Sequence, residues 1–100
     1  MRILIAEDDL TSRTVLEAVL KKEDHEVTVA VNGADAWEKM QEPDAPSLAI
    51  LDWMMPEMDG PELTRRIRTL QRPRPAYIIM LTTKDDKSDI VAALEAGADD

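Results

Sequence analysis

Leu48-Ala49-Ile50-Leu51-Asp52 is a run of four apolar residues that closes on a carboxylate. A strand is continuously apolar when both of its faces are buried, as in a parallel sheet covered by helices on each side. Ile3-Leu4-Ile5-Ala6 and Ile78-Ile79-Met80-Leu81 have the same character. Val27-Thr28-Val29-Ala30-Val31 instead alternates with period two and suits a half-exposed edge strand.

Helical patterns fill the gaps. Leu10 to Glu23 carries Val15, Leu16, Val19 and Leu20 near the i, i+3, i+4 spacing. Gly33 to Glu42 carries Ala36, Trp37 and Met40, and Asp85 to Ala96 carries Ile90, Val91 and Leu94. Pro61 to Gln71 carries Leu63, Ile67 and Leu70, with Pro61 where a first helical turn tolerates it. Gly97 suits a helix C-cap. Asn32-Gly33, Pro43 to Pro46, Asp59-Gly60-Pro61 and Pro73 to Pro75 punctuate the chain. A hairpin turn at Asn32-Gly33 is disfavoured by the helical period that follows it.

The order β-α-β-α-β-α-β-α predicts an α/β fold, a doubly wound parallel sheet with helices on both faces. The 100 residues form one domain, 1–100, without repeat or linker. The chain stops at Asp100 directly after its fourth helix. Ile78 to Leu81 is therefore expected to be an uncovered edge, in a chain cut from something longer. A bare apolar edge invites dimerisation or strand swapping.

Composition excludes several functions. There are 12 basic and 21 acidic residues, a net charge of −9, which opposes nucleic-acid backbones and anionic membranes. The absence of cysteine removes disulfides, thiolate zinc sites and thiol nucleophiles. Two Trp, one Tyr and no Phe offer no platform for stacking bases. No apolar run has the length of a membrane span, and Ile3 to Ala6 is too short for a signal peptide. The expectation is a soluble cytoplasmic protein.

Open α/β sheets bind ligands beyond the carboxyl ends of their strands, where strand order reverses. The first run is followed there by Glu7-Asp8-Asp9, the third by Asp52 and the fourth by Thr82-Thr83. Carboxylates ~5 Å apart repel by roughly 3 kcal/mol at an effective dielectric of ~20, so such a rim calls for a cation. A hard divalent ion fits oxygen ligands, and Mg²⁺ fits best because it uses few carboxylates and accompanies phosphoryl groups. Glu7 to Asp9 also suit the start of the helix they precede, as caps and as partners of its dipole. Thr82 alone reads as a cap. Asp52 precedes no obvious helix, because Pro56 and Asp59-Gly60 intervene.

Asp52-Trp53-Met54-Met55-Pro56-Glu57-Met58-Asp59-Gly60 resembles the phosphoacceptor loop of bacterial response-regulator receiver domains. Ile3 to Asp9 resembles their first strand and acidic pair, Ile78 to Thr83 their fourth strand and hydroxyl position, and Glu95 to Asp100 their fourth-helix exit. The resemblance implies a flavodoxin-like receiver fold with strand order 2-1-3-4, its fifth strand and helix missing. It implies that Asp52 accepts a phosphoryl group from a histidine kinase or a histidine phosphotransfer protein. Asp8, Asp52 and the Met54 backbone carbonyl would ligate Mg²⁺, with Glu7 acting through a bound water. Thr82 would donate a hydrogen bond to the phosphoryl oxygen and pull its loop inward, signalling to an output domain or effector beyond Asp100. Thr83 stands where the family has a smaller residue. The family's phosphate-contacting lysine and switch aromatic would fall past Asp100, so this chain is expected to bind Mg²⁺ and phosphorylate poorly. It would catalyse only its own phosphorylation and dephosphorylation.

Two other functions compete. A pseudo-receiver, a pure interaction module, is opposed by the intact set Glu7, Asp8, Asp52 and Thr82. A Mg²⁺-dependent phosphohydrolase often carries a second Asp two residues after its nucleophile, where this chain has Met54. His25 reads as a solvated turn residue. Arg65, Arg66, Arg68, Arg72 and Arg74 read as a solvated face, and the methionines as core filler, with Met54 shielding an acyl phosphate from water.

Overall fold

The computed structural model describes the backbone of residues 1–81 and 87–100, and all of their side chains except those of 87–89. Four strands and four helices alternate as β1 (Arg2–Ala6), α1 (Leu10–Lys22), β2 (Glu26–Ala30), α2 (Gly33–Met40), β3 (Leu48–Asp52), α3 (Gly60–Arg68), β4 (Tyr77–Leu81) and α4 (Lys87–Ala96). All pairings are parallel and the strand order is β2-β1-β3-β4. This is the flavodoxin-like order expected from the sequence.

Side-chain alternation divides the core in two. Ile3, Ile5 and Ile50 face Leu16 and Leu20 of α1. Leu4, Ala6, Ala49, Leu51, Ile78 and Met80 face the other way, toward Ala36 and Met40 of α2, Leu63 and Ile67 of α3 and Ala93 of α4. Both faces of β1 and β3 are thus covered, which is why their sequences are unbroken apolar runs. β2 is an edge, half-buried along most of its length, as its period-two sequence predicts.

Three differences from the sequence reading have local causes. The outer edge of β4 is not bare: Asp99 N–H donates to the Ile78 carbonyl at 2.8 Å and Met80 N–H to the Asp100 carbonyl at 3.1 Å. The last residues thereby begin a ladder along that edge, which weakens the case for association through it. His25 is not a solvated residue; it is half-buried, and its Nδ1 is closed off without a hydrogen-bond partner among the described residues. The chain turns inward there through a Schellman closure, in which His25 N–H reaches the Leu20 carbonyl at 3.2 Å and Asp24 N–H reaches Lys21 at 3.0 Å. The arginines are not one solvated face. Arg65 and Arg66 pair with Glu62 in the open, whereas Arg72 donates to the Ala45 and Pro46 carbonyls and Arg68 is anchored at three points.

Asn32 settles the question of its turn by capping α2, accepting from Asp35 N–H at 2.7 Å. The start of the fourth helical pattern at Asp85 lies outside the described residues, as does Thr83.

Candidate functional site: an acidic cluster at the switch point

The chain reverses direction across the sheet between β1 and β3, and their carboxyl ends flank the crevice this creates. Glu7 and Asp8 follow β1 directly, and Asp52 is the last residue of β3. One carboxylate oxygen from each of the three lies within 4.8 Å of the others. Glu7 is buried, Asp52 half-buried and Asp8 exposed.

Local structure fixes each of them. Glu7 N–H donates to the Ala30 carbonyl at 3.3 Å, extending the β1–β2 ladder by one residue. The Arg13 guanidinium donates to the Glu7 carbonyl at 2.9 Å, so α1 grips the loop from below. This role of Arg13 has no sequence signal, since a basic residue in a first helical turn reads as surface. Asp9 leaves the cluster: it is the N-cap of α1, its Oδ2 accepting from Ser12 N–H at 2.8 Å. That N–H and the Ser12 side chain hold the Asp9 carboxyl below its usual range. The capping reading is therefore right for Asp9, and the cluster reading for Glu7 and Asp8.

Beyond Asp52, Trp53 N–H donates to the Leu81 carbonyl at 2.9 Å and Gly60 N–H to the Trp53 carbonyl at 2.8 Å. The start of α3 is pressed so closely against β3 that a Cβ on Gly60 would sit 2.6 Å from the Asp52 carbonyl oxygen. Asp59 caps α3 through Glu62 N–H at 2.9 Å, with Pro61 in the first turn. Beside the cluster lies a cleft of about 480 Å³ lined by Asp8, Trp53, Met54, Met55, Pro56 and Asp59. Met54 is largely exposed there. Thr82, the expected hydroxyl donor, lies outside the described residues.

The cluster is short of positive charge. Among the described residues no lysine or arginine forms an ion pair with Glu7, Asp8 or Asp52. The Glu7 carboxyl is pushed up to about 7, chiefly by burial, then by the hydrogen bond it shares with Asp52 and by repulsion from Asp52. Asp8 adds weaker repulsion, and the Asp9 backbone N–H pulls the other way. Burial and the neighbouring carboxylates thus disfavour a charged Glu7, and a cation at the cluster would relieve that repulsion. Three convergent hard oxygen donors with one open, solvated side suit Mg²⁺, which keeps part of its water shell.

A doubly wound sheet with its acids gathered at this switch point matches the receiver architecture that the motifs resemble. The family model of the response regulator receiver domain matches residues 3–100, and the chain belongs to that family, the receivers of two-component systems. It is 44% identical over 99 residues to the transcriptional regulatory protein AfsQ1 of Streptomyces coelicolor, matching 98% of this chain and 42% of that protein. It is 36% identical over 98 residues to the chemotaxis protein CheY1 of Helicobacter pylori, matching 97% of this chain and 79% of that one. The chain thus spans less than half the length of the first relative. Among solved structures, the receiver domain of a Pseudomonas aeruginosa sensor histidine kinase superposes with a TM-score of 0.86 at 31% identity, over 99% of this chain and 80% of that one. That structure has a magnesium ion coordinated in its active-site cleft. No helix among the described residues is long and apolar enough to cross a membrane.

Proposed function

We propose that the chain is the phosphoacceptor of a two-component phosphorelay, with Asp52 as its nucleophile. The observation that carries this reading is the convergence of Asp52 with Glu7 and Asp8 at the carboxyl end of β3. An Asp52 carboxylate oxygen attacks the phosphorus of a phosphohistidine on a histidine kinase or phosphotransfer protein. The new O–P bond replaces the N–P bond, the histidine leaves, and an acyl phosphate remains on Asp52. Phosphoryl transfer asks a protein mainly for positioning and charge neutralisation.

Asp8, Asp52 and the Met54 backbone carbonyl would hold Mg²⁺, with Glu7 reaching it through a water. The ion would supply the positive charge that the cluster lacks. The burial of Glu7 suits an outer role, because it fixes a long side chain behind the two shorter ones. The magnesium ion in the similar Pseudomonas receiver supports the assignment. Thr82 is assigned the hydrogen bond to the transferred phosphoryl oxygen, which draws its loop inward and alters the surface offered to an output domain or effector. The chain turns over no free substrate; it catalyses its own phosphorylation and dephosphorylation. A phosphohistidine donor of this kind would put the chain in the cytoplasm, and its cysteine-free composition is compatible with that.

The test is the intact mass after incubation with acetyl phosphate and Mg²⁺, for the wild type and Asp52→Asn. One added phosphoryl group in the wild type alone supports the reading. No adduct in this chain and none in a chain extended past Asp100 supports an interaction module instead, whereas an adduct on the extended wild type alone supports the reading.

A further inference from the structure

A second cavity opens at the other end of the sheet, about 16 Å along β3 from Asp52. It encloses about 530 Å³ between the α2–β3 and α3–β4 connections. Met40 and Leu70, both packed on the main core, give it an apolar lining. Its walls are fastened to each other and to β1. Arg72 Nη2 donates across to the Ala45 and Pro46 carbonyls at 3.2 and 3.1 Å, and Tyr77 N–H donates to the Ser47 carbonyl at 2.9 Å. Arg2 donates to the Asp44 carbonyl. Pro43, Pro46, Pro73 and Pro75 restrict the backbone of both connections. The cavity is therefore formed before any ligand enters it.

Its charge is out of keeping with the rest of the molecule. The chain carries −9, yet two arginines, Arg72 and Arg74, line this cavity with a single acid, Glu42. Neither arginine forms an ion pair among the described residues, whereas Arg2, Arg65, Arg66 and Arg68 all do. Arg72 Nη1 is buried without a hydrogen-bond partner among the described residues. A buried donor on a charged group is costly to leave unpaired, and native folds hold few of them.

We propose that this cavity binds a small phosphomonoester with an apolar body. Its phosphoryl oxygens accept from Arg74 and from Arg72, whose guanidinium turns to present Nη1. Ser47 and Gln71, which also line the cavity, add neutral donors. The apolar body lies on Met40 and Leu70. A tetrahedral phosphoryl group accepts from several directions, as two guanidiniums on one loop require, whereas a planar carboxylate is satisfied by one fork. The volume is that of a site for a single small molecule. Nothing in this site depends on the chemistry at Asp52.

The experiment titrates phenyl phosphate into the ¹⁵N-labelled full chain at constant ionic strength and follows the backbone amides by NMR. Excess chelator keeps metal-bound phosphate away from Glu7, Asp8 and Asp52. Inorganic phosphate and benzoate are titrated in parallel. Arg74→Gln is carried through the same series, because Arg74 is exposed and the fold does not rest on it. The expected result is saturable shifts at Ser47, Gln71 and Arg72. Phenyl phosphate should bind several-fold more tightly than inorganic phosphate or benzoate, and at least five-fold more weakly to Arg74→Gln. Shifts that rise without saturation, shifts confined to the acidic cluster, or equal affinity in Arg74→Gln overturn the site. Benzoate binding as tightly as phenyl phosphate overturns the assignment of a phosphoryl group.

Discussion

Arg68, the last residue of α3, reaches Asp99 across thirty-one residues of sequence, with Nη2 donating to Oδ2 at 2.7 Å. The same guanidinium donates to the Gly97 carbonyl at 2.8 Å and the Ala76 carbonyl at 2.6 Å. The Asp99 carboxylate oxygen that receives it also accepts Ile78 N–H at 2.9 Å. One side chain therefore ties the end of α3, the approach to β4 and the exit of α4 into a single knot. A planar fork with several fixed donors can do this, and an ammonium cannot.

Replacing Arg68 by Ala takes the guanidinium from two carbonyls and leaves the Asp99 oxygen with only the Ile78 N–H, at an expected cost of about 2 kcal/mol. Arg68→Lys should recover less than half of it. Urea unfolding of the two variants beside wild type measures this, and equal midpoints for Lys and Arg would contradict the fork argument.

The acidic cluster makes stability depend on pH in a direction opposite to ordinary acid denaturation. Glu7 has its folded value raised from 4.5 to about 7, so the folded state binds the proton more tightly than the unfolded one. Its contribution is complete below about 4.5, falls as pH rises between those values and is gone above about 7, a loss of up to roughly 3 kcal/mol in chelator. Glu7→Gln should flatten that slope between pH 5 and 8. Asp35, lowered by its hydrogen bond with Lys39, acts at lower pH and in the opposite sense, losing stability as the medium is acidified.

Charge neutralisation should also be visible in the cation-free protein. Asp52→Asn removes one of three crowded carboxylates and is expected to stabilise the chelated protein by about 1 kcal/mol. Mg²⁺ should raise the wild-type melting temperature, with about 2.7 kcal/mol gained at a hundred times its Kd. The gain in Asp52→Asn should be much smaller. Superimposable wild-type melts with Mg²⁺ and with chelator would remove the metal from the account.

Asp24 sits in the left-handed region at φ 65, one residue past the C-cap of α1. Glycine adopts that conformation without strain, so Asp24→Gly is expected to stabilise the chain by about 0.5 to 1 kcal/mol. Thermal unfolding reads this as a rise of a few degrees. Gly97, at φ 117 and with Arg68 Cγ 2.8 Å from where its Cβ would be, is expected to show the reverse on mutation to Ala.

Leu48 to Asp52 and Ile3 to Ala6 were legible as buried strands because both of their faces are covered. The helices were legible from their apolar period, although α2 ends at Met40 and α3 at Arg68, earlier than the periodicity extends. Those last turns unwind as Pro43 and Pro73 approach. Arg68 and Arg72 were read as solvated because a basic residue near a helix end has that meaning locally. Their acceptors are carbonyls on other loops, which no local pattern can reveal.

The sequence by itself determined the alternation of strands and helices and the burial of the central strands. It also determined that acids would stand at strand ends, since periodicity, run length and capping act within a few residues. Only the tertiary structure decided which acids work together. Glu7, Asp8 and Asp9 are equivalent as text. β1 ends at Ala6 and α1 begins at Leu10, so Asp9 is committed to the helix, while Glu7 and Asp8 meet Asp52 across the sheet. That meeting depends on β3 lying beside β1, a pairing set by the packing of helices on both faces, over distances that local sequence does not encode.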